Sequence, residues 1–236
     1  YKYLEPLLTN FPEKKNDYTN AIGYYNRDMG LLAFGEEDYA KAIPYFKETI
    51  SHLQPIDSVD KFSIVYIYND ITSAFGVLRN YKEGLPYMVK NAEQAKEHYG
   101  EKSVDYLHAL NYVAIGNAEL GDYKKAKKYF KEAYSILSDL KGADKEEMQA
   151  LFDTNYTDLW IKQGDYSTAK IYAERALYFY SSDDEKYLDD KIYALNVLSV
   201  VMLSEGDYEK GESVLKQALN LQVTNHGLEN EMGSMI

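Results

Sequence analysis

The chain has 236 residues, of which 45% are hydrophobic and 14% aromatic, so it can bury a substantial core and is not an intrinsically disordered protein. Its formal net charge of -12 at pH 7 disfavours binding to nucleic acid or to anionic membrane surfaces. The absence of cysteine excludes disulfide frameworks, cysteine-ligated zinc sites and thiol catalysis, and leaves both the cytoplasm and the periplasm open as compartments.

A short motif recurs along the chain at a fixed interval. It reads Gly-Asp-Tyr at 121–123, 164–166 and 206–208, and related forms, DYAKA and NYKEG, occur at 38–42 and 80–84. The tyrosines are 42, 42, 43 and 42 residues apart, at Tyr39, Tyr81, Tyr123, Tyr166 and Tyr208. A regular period of this length indicates a repeat architecture.

Two registers around each tyrosine always hold a small residue, and apolar residues flank both at helical spacing. Small side chains at these points are expected where two helices approach closely, so each repeat is predicted to be a pair of helices. The small residues are Ala42, Gly84, Ala126, Ala169 and Gly211 three positions after the tyrosines, and Gly30, Thr72, Ala114, Thr157 and Ser199 nine positions before them.

The Gly-Asp-Tyr motif itself predicts the turn inside each helix pair. Asp122, Asp165 and Asp207 stand where a side-chain oxygen can cap the second helix. The glycine before each aspartate can end the first helix in a left-handed conformation.

The pattern resembles the tetratricopeptide repeat, whose second helix opens with Gly-Asp-Tyr, then a small residue, then an aromatic one. Gly121, Asp122, Tyr123, Ala126 and Phe130 follow this order. The resemblance covers essentially the whole chain and implies an all-α fold, a right-handed α-α superhelix of antiparallel helix pairs. The period is 42 residues rather than about 34, which is similar to the repeats of kinesin light chains and of bacterial peptide-pheromone receptors.

In chain order, residues 1–12 are predicted to end a preceding repeat and residues 225–236 to begin a further one. Full repeats are predicted at 13–56, 57–99, 100–142, 143–185 and 186–224. We therefore expect a single solenoid over 1–236 that is part of a longer protein. Its cut ends carry Leu4, Leu7, Leu8 and Met232, so self-association through these ends is one alternative role.

The first helices of successive repeats line a common groove in such arrays, and one register of these helices is rich in asparagine. An asparagine amide can both donate to and accept from a peptide backbone, and the resemblance to kinesin-light-chain repeats implies this use here. The competing interpretation is that the amides only hold neighbouring helices together. The stripe consists of Arg27, Asn69, Asn111 and Asn196, twelve residues before the tyrosines, and of Asn155, which stands one position later in its repeat.

A second register, fifteen residues before the tyrosines, is aromatic-rich and holds Tyr24, Tyr66, His108 and Tyr193, with Leu151 in the fourth repeat. Such side chains can pack against a ligand while offering a hydroxyl or an imidazole, although they can equally belong to the core. Little fixed positive charge accompanies them, with Arg27 and Lys162 as the candidates. This favours a neutral or basic peptide over an acidic one.

The lysine cluster in the third repeat is predicted to be a solvated outer face. Lys124, Lys127, Lys128 and Lys131 fall on one arc of the second helix, opposite Ala126. We therefore expect no nucleic-acid partner, and no segment is apolar over the length that membrane insertion requires.

The sequence predicts binding rather than catalysis. No HExxH, GxSxG or GxGxxG motif occurs, and the four histidines lack metal-ligand spacing, so we expect no enzyme activity, no cofactor and no metal. The predicted function is a protein- or peptide-binding scaffold within a larger signalling or regulatory protein. The alternative is a ligand-gated regulator whose repeats change conformation when a short peptide binds.

Overall fold

The computed structural model of the chain describes residues 15–55, 61–181 and 185–226. These residues form α-helices and one short 3₁₀ turn, with no β-strand among them, so the predicted all-α class is confirmed. The helices are α1 Lys15–Gly35, α2 Tyr39–Leu53, α3 Lys61–Val77, α4 Tyr81–Tyr99, α5 Val104–Glu119, α6 Tyr123–Asp139, α7 Ala143–Lys162, α8 Tyr166–Phe179, α9 Leu188–Glu205 and α10 Tyr208–His226, and the 3₁₀ turn spans Glu185–Tyr187.

Both predicted partial repeats fall largely outside the described residues. This holds for residues 1–12 and for the chain beyond His226, where α10 ends. Leu4, Leu7, Leu8 and Met232 lie there too, so self-association through them stays a prediction.

The chain divides into two compact units, the first ending at Tyr129 and the second beginning at Phe130, within α6. In the first unit α1 to α5 pack in sequence, each helix against the next, and α3 also contacts α5. In the second unit α7 to α10 pack in the same sequential way, and α7 also contacts α9. Neighbour-to-neighbour packing is what stacked helix pairs require.

The turns within the pairs have the predicted chemistry. Asp122 Oδ1 accepts a hydrogen bond from the Lys125 amide at 3.1 Å, and Asp165 Oδ1 accepts one from the Thr168 amide at 3.0 Å. The residue before each cap has a positive φ in all five turns, but in two of them it is not glycine. These residues are Gly121 (81°), Gly164 (75°) and Gly206 (87°), together with Glu37 (61°) and Arg79 (51°).

All ten small residues are buried, which confirms that the two registers are helix contact points. A Cβ on Gly30 would lie 2.7 Å from the Phe46 ring, and one on Gly84 would lie 2.7 Å from Phe75 Cβ. Distances this short leave no room for a larger side chain.

The lysine face of α6 points to solvent as predicted. Lys124, Lys128 and Lys131 are exposed and Lys127 is half-buried, whereas Ala126 is fully buried. The cluster is therefore the hydrated side of an amphipathic helix.

Candidate functional site

A pocket of about 260 Å³ lies in the first unit between α3, α4 and α5. Three of the predicted groove residues line it together, Tyr66 and Asn69 from α3 and His108 from α5. The structure thus brings the asparagine register and the aromatic register of neighbouring repeats to one place. We call this site the α3–α5 pocket.

The pocket also contains residues that the sequence did not point to. Asn91 and Tyr99 enter from α4, and Asp105 and Tyr112 from α5. The prediction considered only the first helix of each pair, and α4 is a second helix. One signal was available, because Asn91 occupies a register that holds alanine in the last three repeats, at Ala133, Ala176 and Ala218.

Asn91 is a buried amide that opens onto this pocket. Only 2% of the residue is exposed, yet its side chain makes no hydrogen bond to any described residue. Asn69 also lacks a side-chain hydrogen bond within the described chain, but it is exposed and can bond to water. Asn91 therefore presents its amide to the pocket rather than to a partner within the described chain.

The electrostatic character of the pocket is neutral to acidic. Asp105 lies in the first turn of α5, where the helix dipole favours a negative charge, and it pairs with no cation among the described residues. Neither lysine nor arginine is among the residues that line the pocket. Burial, a hydrogen bond with Tyr66 and the charge of Asp105 raise the pKa of Tyr99 to about 12, so this phenol stays neutral.

The far side of the pocket is held by a contact between α3 and α5. The Ser73 and Tyr112 hydroxyls are 3.1 Å apart and share a hydrogen bond. Gly76, one turn beyond Ser73, leaves room for the Tyr112 ring, since a Cβ there would be 3.5 Å from it. The Tyr112 side chain is therefore positioned by a contact within the protein.

The other predicted groove residues of the first unit do not line this pocket. The Arg27 guanidinium bonds to the adjacent Asp28 carboxylate at 2.8 and 3.0 Å and lies 4.9 Å from the centre of the Tyr24 ring. Asn111 is only 6% exposed and interacts within the protein. For Asn111, burial favours the structural interpretation of the asparagine stripe, and the next residue, Tyr112, lines the pocket instead.

Three predicted residues belong to the second unit. Asn155 on α7 and Asn196 on α9 are half-buried. The Tyr193 hydroxyl on α9 donates a 2.5 Å hydrogen bond to Asp158 Oδ2 on α7, which ties the first helices of two repeats together.

A larger pocket of about 690 Å³ opens in the second unit between α7, α8 and the 3₁₀ turn. Its inner wall contains Asp153, whose side chain is fully buried and forms an ion pair with the half-exposed Arg175. The Tyr134 hydroxyl and the Gln149 amide also donate to Asp153 Oδ1, at 2.7 and 3.0 Å. The hydrogen bond to Asp153 raises the pKa of Arg175, and burial together with the Asp153 charge raises the pKa of Tyr134.

The sequence analysis did not predict the ion pair between Asp153 and Arg175, although the register of Asp153 indicated it. Asp153 stands thirteen residues before Tyr166, a register occupied by Asn26, Tyr68, Leu110 and Leu195 in the other repeats. A carboxylate at an otherwise largely apolar register indicates a buried charge with a partner.

The described residues contain neither a metal site nor a membrane-spanning helix. No group of three or more histidine, aspartate or glutamate side chains there is placed to hold a metal ion. None of the helices described is both long and apolar enough to cross a bilayer.

Comparison with known proteins agrees with this architecture. A tetratricopeptide-repeat family model matches residues 112–136, which run from α5 through the Gly-Asp-Tyr turn into α6. BtubC and a putative kinesin light chain with tetratricopeptide-like repeats have the same fold. Residues 112–136 therefore match a tetratricopeptide repeat, and the described chain shares the fold of proteins built from similar helical repeats.

Several solved structures share the fold of this chain at low sequence identity. BtubC (BKLC) from P. vanneervenii is 19% identical with a TM-score of 0.67, over 98% of this chain and 89% of that one. The Rap conjugation gene regulator of plasmid pLS20, solved with the Phr* peptide, is 17% identical with a TM-score of 0.68, over 90% of this chain and 56% of that one. NprR, solved with its cognate peptide NprX, is 18% identical with a TM-score of 0.63, over 98% of this chain and 70% of that one. No curated protein matches the sequence.

Proposed function

We propose that this chain is a non-catalytic module that binds a peptide segment of a partner, and that the α3–α5 pocket is part of its binding groove. The observation that carries the proposal is the convergence of Tyr66, Asn69 and His108 around the unpaired amide of Asn91. The similar Rap and NprR structures contain bound peptides, which supports peptide binding by this fold.

The pocket suits an extended peptide because its polar groups match a peptide backbone. An asparagine amide offers both a donor and an acceptor, so Asn69 and Asn91 can each bond to main-chain groups whatever the side chains are. Tyrosine rings beside them give apolar contact area with few rotatable bonds. A main-chain group that bonds to the Asn91 amide would add a hydrogen bond worth about 1 kcal/mol.

The test begins with selection of short random peptides displayed on phage against the purified chain. Enriched peptides are synthesised, and their Kd is measured by fluorescence anisotropy for the parent, Asn69→Ala, Asn91→Leu and a control, Asn220→Ala. Asn220 is an exposed asparagine on α10, far along the chain from the pocket. Losing one or two hydrogen bonds is expected to raise the Kd about 5- to 30-fold in the pocket variants and to leave the control unchanged.

The proposal fails if no peptide is enriched, or if the enriched peptides bind all four proteins equally. Circular dichroism of each variant shows whether the fold is kept. The second of these outcomes would place binding on another face and leave Asn69 without a binding role.

A further inference from the structure

The α3–α5 pocket has an exposed carboxylate, that of Asp105, among its lining residues. The Asp105 carboxylate has neither an ion pair nor a side-chain hydrogen bond within the described chain, and the described residues that line the pocket include no lysine or arginine. With a formal net charge of -12, the rest of the chain adds attraction for cations rather than neutralising this site. The exposed Asp105 carboxylate is therefore open to a cation from solvent or from a ligand.

Three tyrosine rings stand around the same space. Tyr66 projects from α3 with 59% of its surface exposed, Tyr99 comes from α4 and Tyr112 from α5. Electron-rich ring faces attract ammonium and guanidinium groups, most strongly where water is partly excluded.

The size of the pocket limits what it can hold. A volume of about 260 Å³ is below the range of about 300–1,000 Å³ typical of small-molecule sites, and so fits a single long side chain. Lysine and arginine have an apolar stem that packs on aromatic rings and a charged end that reaches a carboxylate. The amides of Asn69 and Asn91 remain available for the main chain on either side of that residue.

We propose that the α3–α5 pocket selects peptides by binding one lysine or arginine side chain between Tyr66, Tyr99 and Tyr112, with its cationic end at Asp105. This inference rests on the proposed peptide-binding function and adds the chemistry of one peptide residue to it.

The experiment repeats the phage selection in parallel on the parent, on Asp105→Asn and on Glu101→Gln. Glu101 is an exposed acid in the preceding turn that does not line the pocket, so its neutralisation changes the net charge equally. We expect a basic residue at one fixed position of the peptides selected by the parent and by Glu101→Gln. The preference should disappear for Asp105→Asn.

A second measurement needs no further change to the protein. Replacing the arginine of an enriched peptide by citrulline removes the charge and keeps the length. Replacing its lysine by norleucine removes the charged amino group and keeps the aliphatic stem. We expect this replacement to raise the Kd for the parent at least about 10-fold, and the Kd for Asp105→Asn less than about 3-fold. The difference between the two fold-changes measures the coupling between the peptide cation and Asp105.

Two results would overturn the inference while leaving the proposed function standing. One is a set of enriched peptides that lose affinity for Asn69→Ala and Asn91→Leu but have no basic residue at a fixed position. The other is an equal loss on charge removal for the parent and Asp105→Asn. A failure to enrich any peptide would instead contradict the proposed function, and this inference with it.

Discussion

The buried carboxylate of Asp153 on α7 is held by the guanidinium of Arg175 on α8, and the two belong to the two helices of one repeat. Tyr134 and Gln149 complete the shell of donors around this carboxylate. The guanidinium also lies 5.0 Å from the centre of the Tyr172 ring. This arrangement predicts a strong asymmetry between removing one partner and removing both.

Arg175→Ala is expected to destabilise the protein by about 2–3 kcal/mol, because it leaves Asp153 charged and buried with only two neutral donors. The double variant Asp153→Leu/Arg175→Met should lose less than about 1 kcal/mol, since leucine already fills this register at Leu110 and Leu195. Urea unfolding at pH 7 measures both values. A double variant less stable than Arg175→Ala would show that the pair itself stabilises the fold.

The positive-φ residue before each helix cap is glycine in three turns and another residue in two. We expect substitutions at this position to change the stability in opposite directions in the two kinds of turn. Gly164 has a φ of 75°, and an added Cβ would meet nothing within 4 Å, so Gly164→Ala should cost about 1–2 kcal/mol through backbone strain alone. Arg79→Gly, at a φ of 51°, should instead be neutral or stabilising by up to about 1 kcal/mol. Gly35→Ala is the control, because its Cβ also meets nothing but its φ is not positive. Thermal unfolding compares the three, and equal effects at Gly164 and Gly35 would contradict the strain argument.

The close approach at Gly84 is expected to be intolerant of a single methyl group. A Cβ there would be 2.7 Å from Phe75 Cβ, so Gly84→Ala should cost about 1–3 kcal/mol by overpacking. Gly76→Ala offers a matched comparison, since its Cβ would lie 3.5 Å from Tyr112, an ordinary contact, within a helix that alanine favours. We expect Gly76→Ala to be neutral or stabilising in chemical unfolding. Comparable losses at the two glycines would argue against close packing as the reason for the small register.

The effect of Asn91→Leu on stability should show whether the Asn91 side chain supports the fold or is available for binding. The free protein leaves this amide buried and without a partner among the described residues, so an apolar side chain of similar size should stabilise it by about 1 kcal/mol while peptide affinity falls. Differential scanning calorimetry gives the change in Tm. A lower Tm would show that the amide supports the fold and would weaken its assignment to the groove.

The Asp70 carboxyl is expected to make the free energy of unfolding depend on pH. Burial raises the pKa of its carboxyl to about 6, above the value of about 3.9 in an unfolded chain. Between about pH 4 and pH 6 the folded protein keeps a proton that the unfolded chain has lost, so the contribution of Asp70 to stability falls as the pH rises through this window.

Asp70→Asn should therefore match the parent near pH 4 and exceed it by about 1–2 kcal/mol at pH 7, the full shift being reduced by partial solvent exposure. Urea unfolding from pH 4 to pH 7 provides the difference curve. Glu146→Gln, at an exposed position on α7, serves as the control for loss of one charge. A constant difference between Asp70→Asn and the parent across this range would contradict the assignment to Asp70.

Features that depend on short stretches of sequence were predictable here. The 42-residue period, the aspartate caps and the small registers all follow from contacts within a helix, within a turn or between the two helices of a pair. Such contacts recur in each repeat, so the same residue type returns at the same register, and the pattern stands out from five copies. Placing Tyr66, Asn69 and His108 on one side of the first helices required the same information.

The tertiary structure alone decided which of those residues meet and what completes the site. Asn91 and Tyr99 come from a second helix and Asp105 from the start of the next repeat, so their meeting depends on how α3, α4 and α5 pack. It also decided that Asn111 is buried while Asn69 is exposed, although both hold the same register. The physical reason is that periodicity in a sequence specifies the face of a helix, whereas accessibility and partners depend on the depth and neighbours that packing gives to each copy of that face.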